Sequence, residues 1–94
     1  MKFNVNNEEN QFELTLDNGT GIIEYSRKGD SIYLTHTEVP AQMQGKGVAT
    51  KLVEHTLNYI KSHNLTVVPM CSFVRKFMDN HEEYHDLLSE GYRM

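Results

Sequence analysis

The chain holds a single cysteine, Cys71, among its 94 residues. That count excludes an internal disulfide framework and fits a reducing cytoplasm. No run approaches the about 18 consecutive apolar residues that a membrane-crossing helix needs, so no membrane partner is expected. The amino-terminal stretch Met1-Lys2-Phe3-Asn4-Val5-Asn6-Asn7-Glu8-Glu9-Asn10 lacks the apolar segment of a secretory leader. Basic residues are outnumbered, 9 Lys and Arg against 13 Asp and Glu, for a net charge of −4. A nucleic-acid surface normally carries a basic excess, so no nucleic-acid partner is expected either. Internal repeats and low-complexity segments are absent. What is present is a hydrophobic content of 38%, enough for one small core and a single domain spanning residues 1–94.

Periodicity then divides the chain. Phe12, Leu14 and Leu16 alternate with Glu13 and Thr15, which reads as a half-buried strand. Asp17-Asn18-Gly19 is turn chemistry, and Gly21–Ser26 reads as a second strand. After a turn at Lys28-Gly29-Asp30, Ser31–Val39 is the longest strand candidate. Ile32, Leu34 and His36 should share one face, and Tyr33, Thr35, Thr37 and Val39 the other. These strands should form an antiparallel meander. Pro40 ends the third of them, because it has no N–H for a ladder. From Val48 the period becomes helical: Val48, Leu52, Val53, His55, Thr56, Tyr59 and Ile60 form a stripe, closed near His63-Asn64. Thr66–Met70 is a short buried-type strand. A crossover helix precedes it, so it should run parallel to the strand ending at Val39, through a right-handed connection. Ser72 is placed to cap a helix over Phe73–Met78. A second short helix is expected over Glu82–Leu88, then a tail. The expected order is β-β-β-α-β-α-α, an α+β fold.

The stretch Gln42-Met43-Gln44-Gly45-Lys46-Gly47-Val48-Ala49 puts glycines where a helix begins. The first turn of a helix has N–H groups without intrahelical acceptors, and these attract anions. Glycine permits positive φ and lets the backbone approach a bulky anion. The pattern fails as a nucleotide P-loop: Pro40 stands where the first glycine belongs, and Gly47 where a metal-binding hydroxyl belongs. It is also incomplete as a dinucleotide fingerprint, with Thr50 in place of the third glycine.

Gln42-x-x-Gly45-x-Gly47 resembles the pyrophosphate loop of the GNAT acyltransferase superfamily, Gln/Arg-x-x-Gly-x-Gly/Ala. The chain is similar in particular to the very small bacterial GNAT-like proteins, with Cys71-Ser72-Phe73 after the last strand and His81-Glu82-Glu83-Tyr84 in the tail. The resemblance covers roughly Ser31 to Tyr84. It implies a truncated GNAT-like fold: a meander, a β-α-β unit with splayed parallel strands, and short carboxy-terminal helices. It implies acetyl-CoA as co-substrate, with the backbone of Gln44, Gly45, Lys46, Gly47, Val48 and Ala49 on the pyrophosphate and the strand backbone at Glu38 and Val39 on the pantetheine arm. The missing acceptor walls of larger members imply an open site for an unknown amine, such as that of a protein or peptide. They leave room for a second reading, a non-catalytic acyl-CoA-binding or thiol-sensing module. A third is an interaction domain that has lost the cofactor, against which the intact glycine loop argues. A monomer or weak dimer is expected.

Cys71, at a strand end before a helix, is the candidate acyl acceptor, although lone cysteines are often small buried hydrophobes. His36 and Glu38 are candidate bases, although a solvated cross-strand polar pair would look the same. Arg75 and Lys76 are candidates for the adenosine 3′-phosphate, in competition with Lys46 and Lys51, and a solvated charged face is the simpler reading. Phe73, Phe77 and Tyr84 read as core. His81-Glu82-Glu83-Tyr84-His85 matches the zinc-protease spacing His-Glu-x-x-His. It is read as accidental, since too little chain remains for a third ligand and a cleft, and no metal is expected.

Overall fold

The computed structural model describes residues 1–94. Five strands form one sheet in chain order: β1 (Lys2–Asn6), β2 (Gln11–Leu16), β3 (Gly19–Lys28), β4 (Ser31–Glu38) and β5 (Thr66–Pro69). The first four are antiparallel, and β5 runs parallel to β4. Helix α1 (Val48–Ser62) makes the crossover between them, and α2 (Ser72–Asp79) comes after β5. The α+β architecture, the meander and the parallel pair are as the sequence implied.

One strand was not anticipated. β1 has only Phe3 and Val5 to carry a pattern among lysine and asparagines. It holds because it docks on both faces at once. Phe3 stacks on His55 of α1 at a centroid distance of 5.3 Å and on Phe12 at 6.1 Å. On the other face Glu13 accepts hydrogen bonds from Gln11 at 2.7 Å, Asn6 at 3.0 Å and Asn4 at 3.2 Å. Those donors, Gln11 first, hold the Glu13 carboxyl below the usual carboxylate range, against a weak opposing effect of burial.

The core lies between the sheet and the two helices. It is one cluster of 16 buried residues, with Phe12, Leu14, Ile23, Ile32 and Leu34 from the sheet. Leu52, Val53, Leu57 and Ile60 come from α1, and Val74, Phe77 and Met78 from α2. The α1 stripe is mostly as expected, but His55 is exposed and Leu57 is fully buried in its stead. At the far edge, Leu88 bridges Val67 in parallel and the Ser89 N–H donates to the Val67 carbonyl at 2.9 Å. The tail thus covers part of the free edge of β5. The residues Glu82–Leu87 form a 3-10 segment rather than an α-helix.

Two irregularities set the geometry where β4 and β5 end. The β3–β4 register passes from Tyr25 opposite Leu34 to Glu24 opposite His36, which leaves Thr35 without a partner. This β-bulge flips the alternation. The expected shared face of Ile32, Leu34 and His36 is therefore corrected. Ile32 and Leu34 face the core, but beyond the bulge Thr37, opposite the buried Ile23, faces it instead. His36 and Glu38 point to the solvent side of the sheet. The second irregularity is Pro69. With no N–H it ends the ladder, and the N–H groups of Met70 and Cys71 both donate to the Leu34 carbonyl, at 3.0 and 2.9 Å. β4 continues to Glu38 paired only with β3, so β4 and β5 part beyond Leu34.

Candidate active site

The loop between β4 and α1 starts with a 3-10 turn over Ala41–Met43 that buries Met43. Gly45 and Gly47 then adopt φ of 80° and 73°, and Gly47 is the N-cap of α1. Few residues other than glycine hold such angles without strain. The consequence is a row of backbone N–H groups, from Gly45 through Thr50, that donate to no backbone or side-chain acceptor of the protein. They open on a groove of ≈ 220 Å³ lined by Val39, Gly45, Gly47, Val48, Ala49 and Phe73 among others. A Cβ built on either glycine would meet nothing within 4 Å, so the space before the loop is open. A positive dipole end, free donors and an open approach suit an anion with several oxygens.

The loop is tied down from behind. The Gln42 side chain donates to the Asn18 carbonyl at 2.9 Å, and the Asn18 amide donates to the Gln42 carbonyl at 3.2 Å. Gln44 donates to the Val39 carbonyl at 3.0 Å. Gln42 therefore anchors the loop to the β2–β3 hairpin and does not line the groove, whereas Gln44 does. Lys46 stands exposed at the loop tip.

Cys71 is the N-cap of α2, a place the sequence pattern assigned to Ser72. Its Sγ lies 3.2 Å from the Thr37 Oγ1, across the gap between the parting strands. Burial pushes the thiol up, but the Thr37 hydroxyl and the N–H groups of Val74, Phe73 and Thr37 outweigh it, and the thiol sits below its ordinary value. The sulfur stops short of a formal capping bond at α2, yet it feels those N–H dipoles.

The sequence model of the GCN5-related N-acetyltransferases matches residues 11–87. The chain belongs to that family. Its fold also resembles the solution structure of a GCN5-like, provisionally assigned N-acetyltransferase from Staphylococcus aureus, with a TM-score of 0.70. That likeness spans 98% of this chain and 94% of the other at 23% identity, and it speaks for the fold alone.

Within this GCN5-related fold the candidate residues separate into groups. Val39, Gln44, Gly45, Gly47, Val48 and Ala49 share the groove. Cys71 stands at the parting of the strands. His36 and Glu38 are exposed on the opposite sheet face from Thr37 and Cys71. Arg75 and Lys76 diverge around α2. Lys76 lines a second groove of ≈ 220 Å³ with Asn80 and His81, and this groove shares Thr50 and Phe73 with the loop groove. Arg75 instead lines a separate cavity of ≈ 330 Å³, with Met70, Asp79, Tyr92 and Arg93 beside β5. No residue of the glycine loop borders that cavity.

Phe77 is core, as expected; Tyr84 is only half-buried against it, and Phe73 is 39% exposed and borders both grooves. Thr37 and Phe73 are the site residues that sequence reasoning missed. Phe73 carried a signal, since it lies one helical step off the Val74–Phe77–Met78 stripe. In the tail, His81 Nδ1 bonds the Phe77 carbonyl and His85 Nε2 the Met78 carbonyl, both at 2.7 Å. His81 precedes the 3-10 segment, at φ −138° and ψ 77°, so no single helix sets the two rings side by side. No group of three His, Cys, Asp or Glu side chains that could hold a metal ion is formed.

Proposed function

We propose that the protein is an acetyl-CoA-dependent N-acetyltransferase for an amine acceptor, with Cys71 as nucleophile. The observation that carries the reading is the row of acceptor-free N–H groups from Gly45 to Thr50 facing an open groove. These groups hold the pyrophosphate, with Lys46 adding charge from the loop tip. The continuation of the groove past Thr50 and Phe73 to Lys76 suits the nucleoside end, with an aromatic face and a cation in reach. The β4 backbone near Glu38 and Val39, unpaired on the β5 side, suits the amide-bearing pantetheine arm, which pairs like an added strand.

Acetyl-CoA supplies an acyl thioester. The Cys71 thiolate attacks its carbonyl carbon. As the new C–S bond forms, the bond to the CoA sulfur breaks and CoA leaves as its thiolate. An acceptor amine then attacks the acetyl-cysteine; the C–N bond forms, Cys71 is released as thiolate, and the amine gives up one proton to solvent or a base. Beyond Leu34 no strand pairs with β4 on the Cys71 side, and this gap suits the approach of a large amine, as on a protein or peptide.

The test is a titration with CoA and acetyl-CoA monitored by amide shifts, then intact-mass spectrometry after acetyl-CoA. Shifts should centre on Gly45–Thr50, and a hydroxylamine-labile acetyl adduct should appear in the wild type and not in Cys71→Ala. Amine acetylation that survives intact in Cys71→Ala would move the chemistry to direct transfer, with His36 or Glu38 as base. Binding without any acetyl transfer would leave an acyl-CoA-binding module.

A further inference from the structure

We infer that Thr37 is the positioning residue of this site: its hydroxyl, in hydrogen-bond contact with the Cys71 sulfur, keeps that sulfur aimed into the gap between β4 and β5. The inference rests on the proposed role of Cys71 and adds to it a residue whose type alone gives no sign of function. Three observations carry it. The Thr37 Oγ1 lies 3.2 Å from Sγ. A thiolate can only accept, so in the ionised state the hydroxyl must be the donor. Thr37 reaches the sulfur because Thr35 is bulged; with regular alternation after Leu34, position 37 would face the solvent side with Tyr33. And Leu34 accepts from both Met70 and Cys71, which fixes the backbone of Cys71 against β4 just where the strands part.

Charge plays no part in this arrangement. The charged or titratable groups on the surrounding elements are Tyr33, His36 and Glu38 on β4, Arg75, Lys76 and Asp79 on α2, Lys46 in the loop, and Lys51, Glu54, His55, Tyr59 and Lys61 on α1. None is in an ion pair, and the thiol is held down by hydrogen bonds working against burial. Removing the Thr37 donor leaves burial with less opposition, so the thiol pKa must rise. β-Branching also limits the rotamers of Thr37, which keeps the hydroxyl in place.

The experiment uses the whole chain. Alkylation of Cys71 by iodoacetamide is measured against pH in wild type, Thr37→Val and Thr37→Ser, together with CoA affinity and acetyl transfer to an amine. Thr37→Val should shift the alkylation midpoint upward by about one pH unit, so that the thiolate reacts about tenfold more slowly at neutral pH. Thr37→Ser should restore the profile to within about twofold, and CoA affinity should stay within about threefold in both. Should the valine variant not fold, Thr37→Ala removes the same hydroxyl. An unchanged alkylation profile in a folded variant lacking the hydroxyl would overturn the inference. A shifted profile with amine acetylation untouched in both Thr37→Val and Cys71→Ala would uphold the Thr37–Cys71 relationship and reject Cys71 as nucleophile.

Discussion

Gln42 and Asn18 each donate a side-chain amide hydrogen to the other's carbonyl, which binds the glycine loop to a hairpin 24 residues earlier. Gly19 makes this possible. A Cβ there would lie 2.9 Å from the Met43 Sδ and 3.2 Å from the Gln42 Nε2. Gly19→Val should therefore destabilise the fold by about 1–3 kcal/mol through overpacking, and it should weaken CoA binding although residue 19 is outside the groove. Thermal denaturation and calorimetry on the same sample check both. A stable variant with full affinity would show that the loop does not need this anchor.

Gly45 and Gly47 act differently, since a Cβ on either has space. Their cost is conformational: an L-residue at these φ values is strained by about 1–2 kcal/mol. Gly47→Val should lose CoA affinity by about 1–3 kcal/mol as the free N–H groups turn away. Isothermal calorimetry that finds wild-type affinity in the folded variant would place the phosphates elsewhere.

The lowered thiol of Cys71 has a stability signature. A group whose folded pKa lies below its unfolded value favours the native state once pH exceeds the unfolded value, and that contribution fades as pH falls through the folded value. The stability of the wild type relative to Cys71→Ala should thus rise with pH up to the ordinary thiol range and level off above it. Urea denaturation in reducing buffer across neutral to alkaline pH measures it. A difference that falls with rising pH would mean that burial dominates.

His81 and His85 should hold no zinc, because no third His, Cys, Asp or Glu side chain joins them to complete a ligand set. Protein purified without chelator should contain well under one equivalent. A full equivalent lost in His81→Ala would contradict this.

The amphipathic elements were legible in the sequence because burial imposes their periods. Phe12 and Leu14 enter the core as the alternation required, as do Val48, Leu52, Val53 and Ile60 on a helical stripe. The loop was legible because glycine is the residue that holds its angles with least strain. The bulge at Thr35 was not: nothing in Tyr33-Leu34-Thr35-His36-Thr37 distinguishes a regular strand from a bulged one, and a single skipped residue exchanges the two faces. That exchange sent the anticipated bases His36 and Glu38 to the solvent side and brought Thr37 to the sulfur. β1 was missed since its anchorage is tertiary, on His55 and Glu13, and too short to show a period. Arg75 and Lys76 are neighbours in sequence, yet a helix sends adjacent side chains about 100° apart, so they serve different surfaces.

The strip of tail at Leu88–Ser89, bonded to Val67, covers part of the β5 edge and leaves β1 as the barer of the two outer strands. Two copies joined through β1 would use the same patch on each and close at two. A molecule with both margins bare could instead add copies without end. The few residues after Asp86 thereby act as a partial guard on one margin of the sheet.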